Sequence, residues 1–130
     1  MDLNQITLEV RNFAASLAFY EGLGLQLIVL SDDRYARFEM PSGSTTLSLH
    51  VADAPRVGGA MLYFEVEDVD RRYQELLAQG IVFETPPTDQ SWRWREARFF
   101  DPTGHALCLF HAGPNRRFPP WRWSEAEGQT

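Results

Sequence analysis

The sequence lacks lysine, because all 12 of its basic residues are arginine. A Schiff-base lysine and the phosphate-binding lysine of a P-loop are therefore both excluded. Cysteine is almost absent as well, and Cys108 has no second thiol with which to form an intrachain disulfide. No apolar run approaches the roughly 20 residues that a bilayer-spanning helix needs. The start MDLNQ has none of the regions of a signal peptide. We expect a cytoplasmic protein with no membrane partner.

Positive charge is scarce too. The net charge is −6, the pI is about 5.0, and no basic stripe is present. Because binding to nucleic acid rests on clustered positive charge, we expect no nucleic-acid partner. A cationic ligand would suit this overall field better. With 130 residues, 44% of them hydrophobic, the chain can bury one core.

The sequence contains an internal duplication. Residues 8–27 align without a gap with residues 64–83, and residues 34–52 align with residues 95–112 if one extra residue is allowed in the first turn. A duplicated unit of this size predicts two similar half-structures related by an approximate twofold axis. Identical pairs include Glu9 with Glu65, Gly24 with Gly80, and Arg37 with Arg98.

Each half predicts a βαβββ module. A short strand is followed by a helix that begins after the capping residue Asn12 or Asp68 and ends at Gly24 or Gly80. The fold class is therefore α+β. The predicted strands are residues 6–10, 25–30, 35–40 and 46–51 in the first half, and residues 62–66, 81–84, 96–100 and 107–111 in the second. The predicted buried helix stripes are Phe13, Leu17 and Tyr20, then Val69, Tyr73, Leu76 and Leu77.

The predicted domain spans residues 1–112. Module one is residues 1–52, a Pro- and Gly-containing linker is residues 53–60, and module two is residues 61–112. The remaining segment, 113–130, is rich in Pro and Trp, so we expect an extended tail that packs through its tryptophans and has a loose end over its last seven residues.

A tandem βαβββ unit with an NFAASLAFYEGLGL helix and a DPTGHALCLF hairpin resembles the vicinal oxygen chelate superfamily, which includes glyoxalase I, extradiol dioxygenases and bleomycin-resistance proteins. The resemblance covers residues 4–112. It implies that each module forms half of an open eight-stranded cup, which closes within one chain or across a homodimer. It also implies that the cup binds a small organic molecule.

Strand alternation predicts which side chains face the cup. If Ile6, Leu8 and Val10 cover the helix, their neighbours must face the other way. The predicted cup-facing residues are Gln5, Thr7, Glu9, Thr46, Ser48 and His50 in module one, and Met61, Tyr63, Glu65, Ala106, Cys108 and Phe110 in module two.

The resemblance implies four metal-ligand positions, which in this sequence hold Gln5, Ser48, Met61 and Cys108. Only Gln5 is of a type that the superfamily uses, and a divalent catalytic metal normally takes three or more His or carboxylate ligands. We therefore expect no metal or other cofactor. The alternative is one divalent metal ion held by Gln5 and His50.

Ligand contacts are expected from Gln5, Ser48, His50, Met61, Tyr63, Trp94, Cys108 and Phe110. No catalytic residue is expected, and the alternative is acid–base chemistry through Glu65 and His50. Cys108 is interpreted as a buried thiol rather than a nucleophile. His105 is interpreted as a solvated turn residue.

Two further groups of side chains accompany the cup. Glu9 and Glu65 are interpreted as ion-pair partners of the symmetric arginines at 37 and 98. Trp92 and Trp94 leave two interpretations open: a wall for a flat or cationic ligand, or a plug in a module or dimer seam. For Trp121 and Trp123 we expect packing.

These expectations favour metal-independent, non-enzymatic binding of a small molecule by a homodimer. The alternative is a metal-dependent lyase, isomerase or dioxygenase of the same superfamily. A third hypothesis is an accessory module whose tail binds another protein.

Overall fold

The computed structural model describes residues 1–125 and contains both predicted modules. Module one contains β1 (Gln5–Val10), α1 (Phe13–Gly22), β2 (Gln26–Ser31), β3 (Tyr35–Glu39) and β4 (Thr46–Val51). Module two contains β5 (Met61–Glu65), α2 (Val69–Ala78), β6 (Thr88–Asp89), β7 (Arg95–Phe100) and β8 (Ala106–His111), and a short 3₁₀ turn follows at Gly113–Asn115.

The strands form two mixed sheets of four strands each, with the orders β1-β4-β3-β2 and β5-β8-β7-β6. In each sheet the first and last strands of the module pair in parallel, and the other pairs are antiparallel. The predicted α+β class and the two modules are confirmed. Within residues 1–125 no strand pairing joins the two sheets, so the eight strands form two open halves.

Both helices begin and end where the sequence predicts. The side chain of Asn12 accepts a 3.0 Å hydrogen bond from the amide of Ala15, and Asp68 accepts one of the same length from Arg71. Gly24 follows α1 with a φ of 100°, a conformation that costs glycine little because it has no Cβ. Neither helix in the described chain has the length and hydrophobicity required to cross a membrane.

A single apolar cluster takes buried residues from both modules and lies on the helix side of the sheets. The ring of Phe19 in α1 lies 6.1 Å from the ring of Phe99 in β7, measured between centroids. One prediction for α2 is wrong, because Leu77 is 37% exposed and the buried stripe consists of Val69, Tyr73 and Leu76. The two modules thus share one core.

Hydrogen bonds at this seam join the modules. The Tyr20 phenol donates to Asp101 at 2.7 Å, and an Arg72 Nη donates to the carbonyl oxygen of Leu23 at 2.9 Å. The Nε2 of His105 lies 2.7 Å from the carbonyl oxygen of Glu9. The expectation of a solvated His105 is therefore wrong: the ring is buried because the hairpin of module two packs against β1.

The predicted strand over residues 81–84 is also wrong. Phe83 makes one isolated bridge to Phe99, and pairing with β7 resumes only at β6. Pro86 and Pro87 lie between these points and have no amide hydrogen to donate, so the ladder is interrupted.

The tail departs from expectation as well. Trp121 and Trp123 are 54% and 64% exposed, so the predicted packing of these rings is wrong within the described chain. The guanidinium of Arg93 lies 5.8 Å from the centre of the Trp121 ring, which leaves most of the indole in solvent. Most of the end expected to be loose, residues 126–130, lies outside the described residues.

Candidate functional site

The open face of each sheet lies opposite the shared core, as strand alternation predicts. Leu8, Leu47 and Leu49 are buried in the core, and so are Leu107 and Leu109 of module two. Their neighbours along each strand therefore face the open side. We call these two open surfaces the module-one face and the module-two face.

The module-one face carries a chain of polar contacts. The Gln5 amide nitrogen donates to Ser48 Oγ, and the same oxygen lies 2.7 Å from the phenol of Tyr35. Arg37 Nε donates to that phenol at 3.0 Å. The hydrogen bond to Ser48 lowers the pKa of Tyr35 from its ordinary value, and Arg37 adds to the effect against the opposing influence of burial. The Oγ1 of Thr46 also donates to the side-chain oxygen of Gln5.

The module-two face is aromatic. The rings of Trp94 and Phe110 stack with their centroids 4.8 Å apart. Tyr63 meets both edge-on, at 5.8 Å from Trp94 and 5.5 Å from Phe110. Tyr63 nevertheless remains 47% exposed. These three residues form an aromatic cluster. Phe110 is itself buried, so the surface that can pack against a flat ligand belongs to Tyr63 and the half-buried Trp94.

A buried carboxylate lies beside this cluster. Glu96 is 1% exposed, and its two oxygens accept hydrogen bonds from Trp92 Nε1 at 2.8 Å and from Arg98 Nη2 at 3.0 Å. The hydrogen bond that Arg98 donates to Glu96 also raises the pKa of Arg98. Glu96 therefore fixes the Trp92 indole and neutralises Arg98.

The two predicted glutamates have other partners. Glu9 binds Arg56 of the linker through the backbone amide and the guanidinium, both at 2.8 Å, and these bonds lower its pKa to about 2. Glu65 accepts from the amides of Ala112 and Gly113 at 2.7 and 2.9 Å. The interpretation that they pair with the arginines at 37 and 98 is wrong, because those side chains bind residues of their own strands.

Within residues 1–125 of one chain, no hydrogen bond or ion pair joins the residue pairs that the enzymatic alternatives require. His50 lies opposite Glu9 in the β1–β4 pair, whereas Glu65 belongs to module two and lies 3.7 Å from His111. Gln5 lies opposite Thr46 rather than His50. His111 points to the carbonyl oxygen of Val66 at 2.8 Å.

Cys108 is fully buried beneath Met61, Trp94 and Phe110. Burial raises the pKa of its thiol to about 12, and Glu96 adds to the effect. Because the thiolate is the reactive form, this environment fits the interpretation of an inert packing residue. Ser48 is equally buried, beneath Gln5 and Tyr35. Ligand contacts for these two residues stay a prediction.

A shallow cavity of about 380 Å³ adjoins the module-two face. It is lined by Glu84, Thr85, Thr88, Gln90, Trp92 and Arg98. Trp92 and Arg98, the two hydrogen-bond donors to Glu96, line this polar pocket, which therefore lies beside the buried carboxylate.

A family model described as the Glyoxalase/Bleomycin resistance protein/Dioxygenase superfamily matches residues 2–109. The chain belongs to this superfamily. It is 34% identical to the uncharacterized protein YraH of Bacillus subtilis, over 85% of this chain and 98% of that relative.

Solved structures of the superfamily share the fold. A glyoxalase/bleomycin resistance protein/dioxygenase from Nocardioides is 26% identical with a TM-score of 0.71, covering 86% of this chain and 83% of that one. Lactoylglutathione lyase from Agrobacterium tumefaciens also has a TM-score of 0.71, covering 85% of this chain and 92% of that one. At 20% identity this second likeness concerns the fold alone.

The residues at the superfamily's metal positions do not fit a divalent ion. The side chain of Gln5 is already hydrogen-bonded to Ser48 and Thr46. Cys108 would bind a metal as a thiolate, and the raised pKa of its thiol opposes deprotonation. Met61 is a soft thioether, which a catalytic zinc, iron or nickel site seldom uses. Residues 1–125 contain no group of three or more His, Cys, Asp or Glu side chains that could hold a metal ion.

Three important residues were missed by sequence reasoning. Tyr35 and Glu96 occupy matching positions in the duplication, and alternation along β3 and β7 would have placed both on the open faces. Arg56 had no such signal, because it lies in the linker and its pairing with Glu9 depends on how the chain crosses between modules.

Proposed function

We propose that this protein binds a small organic molecule without a metal ion, in a cup that closes between two chains of a homodimer. The observation that carries the proposal is the aromatic cluster of Tyr63, Trp94 and Phe110, in which the buried Phe110 supports a half-buried Trp94 and a Tyr63 that is 47% exposed. A flat apolar surface beside a polar pocket is the usual composition of a small-molecule site.

Homodimerisation is supported by the way the modules meet. The hydrogen bonds between modules come from the helix side and from the hairpin before β8. Among the described residues, no hydrogen bond joins a side chain of the module-one face to one of the module-two face. A second copy would cover both faces. A twofold axis between two chains can place module one of each chain opposite module two of the other, and each such pair would form one cup.

Binding without a metal is supported by the donor set. An amide, a hydroxyl, a thioether and a buried thiol replace the His and carboxylate ligands that a divalent catalytic ion requires. Binding and sequestration need no chemical step. The cytoplasmic location and the absence of a nucleic-acid partner stay predictions.

Two measurements test the proposal. Light scattering after size exclusion should give about twice the chain mass of 14.9 kDa. Titration with a neutral aromatic probe, 2-naphthamide, should show binding that weakens with Tyr63→Ala. The matched control is Phe118→Ala, which removes an aromatic side chain of similar exposure from the tail. A monomer that binds no probe, or equal effects of the two variants, would contradict the proposal.

The alternative activity, a metal-dependent lyase, isomerase or dioxygenase, predicts a different composition. Elemental analysis of protein purified without chelator would then show about one nickel, zinc, iron or manganese ion per chain, which His50→Ala would remove. The metal-free proposal predicts a content far below one ion per chain and no change in that content with His50→Ala.

A further inference from the structure

The duplication allows the two open faces to be compared position by position. Arg37 and Arg98 are equivalent, and the residue two positions before each is Tyr35 in module one and Glu96 in module two. The same arginine is therefore present twice with different partners. The two arginines therefore contribute different net charges to their faces.

Arg98 is neutralised within its own module. Its Nη2 lies 3.0 Å from a carboxylate oxygen of Glu96, which is itself buried. The pair adds no net charge to the module-two face. Burial of one partner makes such a pair a persistent structural feature, because removing the arginine would leave a buried carboxylate without its counter-ion.

Arg37 has no such partner. It binds a neutral phenol through Nε and lies with its guanidinium carbon 5.5 Å from the centre of the same ring. Among residues 1–125, no carboxylate lies within ion-pairing distance of it. Its two Nη nitrogens have no hydrogen-bond acceptor in the described chain, and the side chain is partly exposed on the open face.

The acidic residues of the module-one face do not cancel this charge. Glu9 is already paired with the guanidinium of Arg56. Glu39 is exposed two residues along β3, outside ion-pairing distance of Arg37. His50 adds no negative charge. The module-one face therefore keeps one cation with a pair of parallel donors, although the whole chain carries a net charge of −6.

The module-two face supplies the other half of the chemistry. Its aromatic cluster offers flat apolar surface, and its one arginine is occupied by Glu96. A ligand spanning both faces needs a flat apolar ring for one and an anionic group with two acceptors for the other. A carboxylate matches the fork of a guanidinium, because both oxygens accept parallel N–H bonds.

Building on the proposed cup, we infer that the ligand is an aromatic carboxylate: its carboxylate binds the Nη nitrogens of Arg37, and its ring packs on the aromatic cluster through Tyr63 and Trp94. The net charge of the chain suggested a cationic ligand. The positive charge of Arg37 is more important here, because it lies at the binding surface, whereas the field of distant surface charges is screened in salt. Tyr35 positions the guanidinium through its hydrogen bond with Nε.

The test uses three probes with the same ring on the full-length protein: 2-naphthoate, 2-naphthamide and protonated 2-naphthylmethylamine. Calorimetric titration should rank the naphthoate tightest. Arg37→Gln should weaken naphthoate binding by about tenfold to a hundredfold, as expected for one charge-assisted contact, and change naphthamide binding little. Arg71→Gln, which makes the same charge change on the outer surface of α2, should change neither.

The Arg37→Lys variant keeps the charge and loses the fork, so it should bind the naphthoate with intermediate affinity. It replaces Arg37→Gln if that variant fails to fold in circular dichroism. Equal binding of naphthoate and naphthamide to the unaltered protein, tighter binding of the amine, or unchanged naphthoate binding by Arg37→Gln would overturn this inference and leave the cup proposal standing. If none of the probes bound to folded protein, both proposals would fail.

Discussion

The phenol of Tyr20 in module one donates a buried 2.7 Å hydrogen bond to Asp101 in module two. Burial raises the pKa of Tyr20, and the neighbouring Asp101 adds to the effect, so the group stays a neutral donor. The other oxygen of Asp101 accepts from the amides of Thr103, Gly104 and His105. One bond therefore connects α1 to a fully organised turn of the other module.

Tyr20→Phe should lower the free energy of unfolding by about 1–3 kcal/mol, because it removes a buried hydrogen bond to a charged group and keeps the ring. Urea denaturation measures the change. Tyr63→Phe is the matched control: the described structure gives its phenol no partner, so about 0.5 kcal/mol or less is expected. Equal effects of the two substitutions would contradict the structural role of the Tyr20–Asp101 bond.

Glu96 of β7 should be far more important for stability than Glu39, an exposed glutamate of β3. Glu96→Gln would weaken the contacts to Trp92 and Arg98, and Glu96→Ala would leave the indole N–H and the guanidinium without their acceptor. We expect Glu96→Ala to cost about 1–3 kcal/mol, the range for leaving buried donors without an acceptor, because Arg98 is 38% exposed and can bind water in its place. Thermal unfolding followed by circular dichroism provides the measurement. Glu39→Ala should lie within about 0.5 kcal/mol of the unaltered protein, and a similar loss for both variants would be evidence against the buried pair.

The pair between Glu9 and Arg56 predicts a pH dependence. The folded pKa of Glu9 is lowered from its ordinary value of 4.5 to about 2, chiefly by hydrogen bonds from Arg56. The ionised form thus contributes stability above the unfolded pKa, and that contribution is lost as the pH falls through the folded pKa. Glu9→Gln should be less stable than the unaltered protein near neutral pH, and the two should converge between pH 4.5 and about 2.

Urea unfolding at a series of pH values measures this difference directly. Arg56→Gln should have a smaller effect than Glu9→Gln, because the backbone amide of residue 56 still donates to Glu9. The double variant should add little to Glu9→Gln, because the guanidinium bonds are lost in both single variants. A stability difference that stayed constant from neutral to acidic pH would show that the linker does not depend on this ion pair.

Cys108 should be unreactive in the native protein. Burial and a pKa of about 12 leave almost no exposed thiolate at neutral pH. Reaction with Ellman's reagent should be slow without denaturant and rapid in guanidinium chloride. Rapid labelling of the folded protein would instead indicate an accessible thiol and return Cys108 to consideration as a nucleophile.

Much of the fold was predictable because it repeats simple local rules. Capping by Asn12 and Asp68, helix ends at Gly24 and Gly80, and alternation along the strands all depend on near neighbours in sequence. The duplication then predicted two similar modules, because the same order of strands and helix could be read in both halves of the sequence.

The errors concern contacts that local rules do not specify. His105 is buried because a hairpin of module two packs against β1, and Glu9 turns to the linker rather than to Arg37. In place of the strand predicted at 81–84, only Phe83 bridges to β7, and two prolines at 86 and 87 interrupt the ladder before β6. In the candidate site, strand alternation was enough to identify the open faces. That Glu96 is buried and that Arg37 has no carboxylate partner could be seen only in the three-dimensional structure.

The central claim, that the cup binds its ligand without a metal ion, is tested most directly by titrating 2-naphthamide into protein prepared with EDTA and into the same protein supplied with nickel, zinc, iron or manganese. We predict the same dissociation constant for the EDTA-treated protein and for each metal-supplied sample. Tyr63→Ala should weaken binding equally with and without metal. Binding that disappears with EDTA and returns with one of these ions would contradict the account.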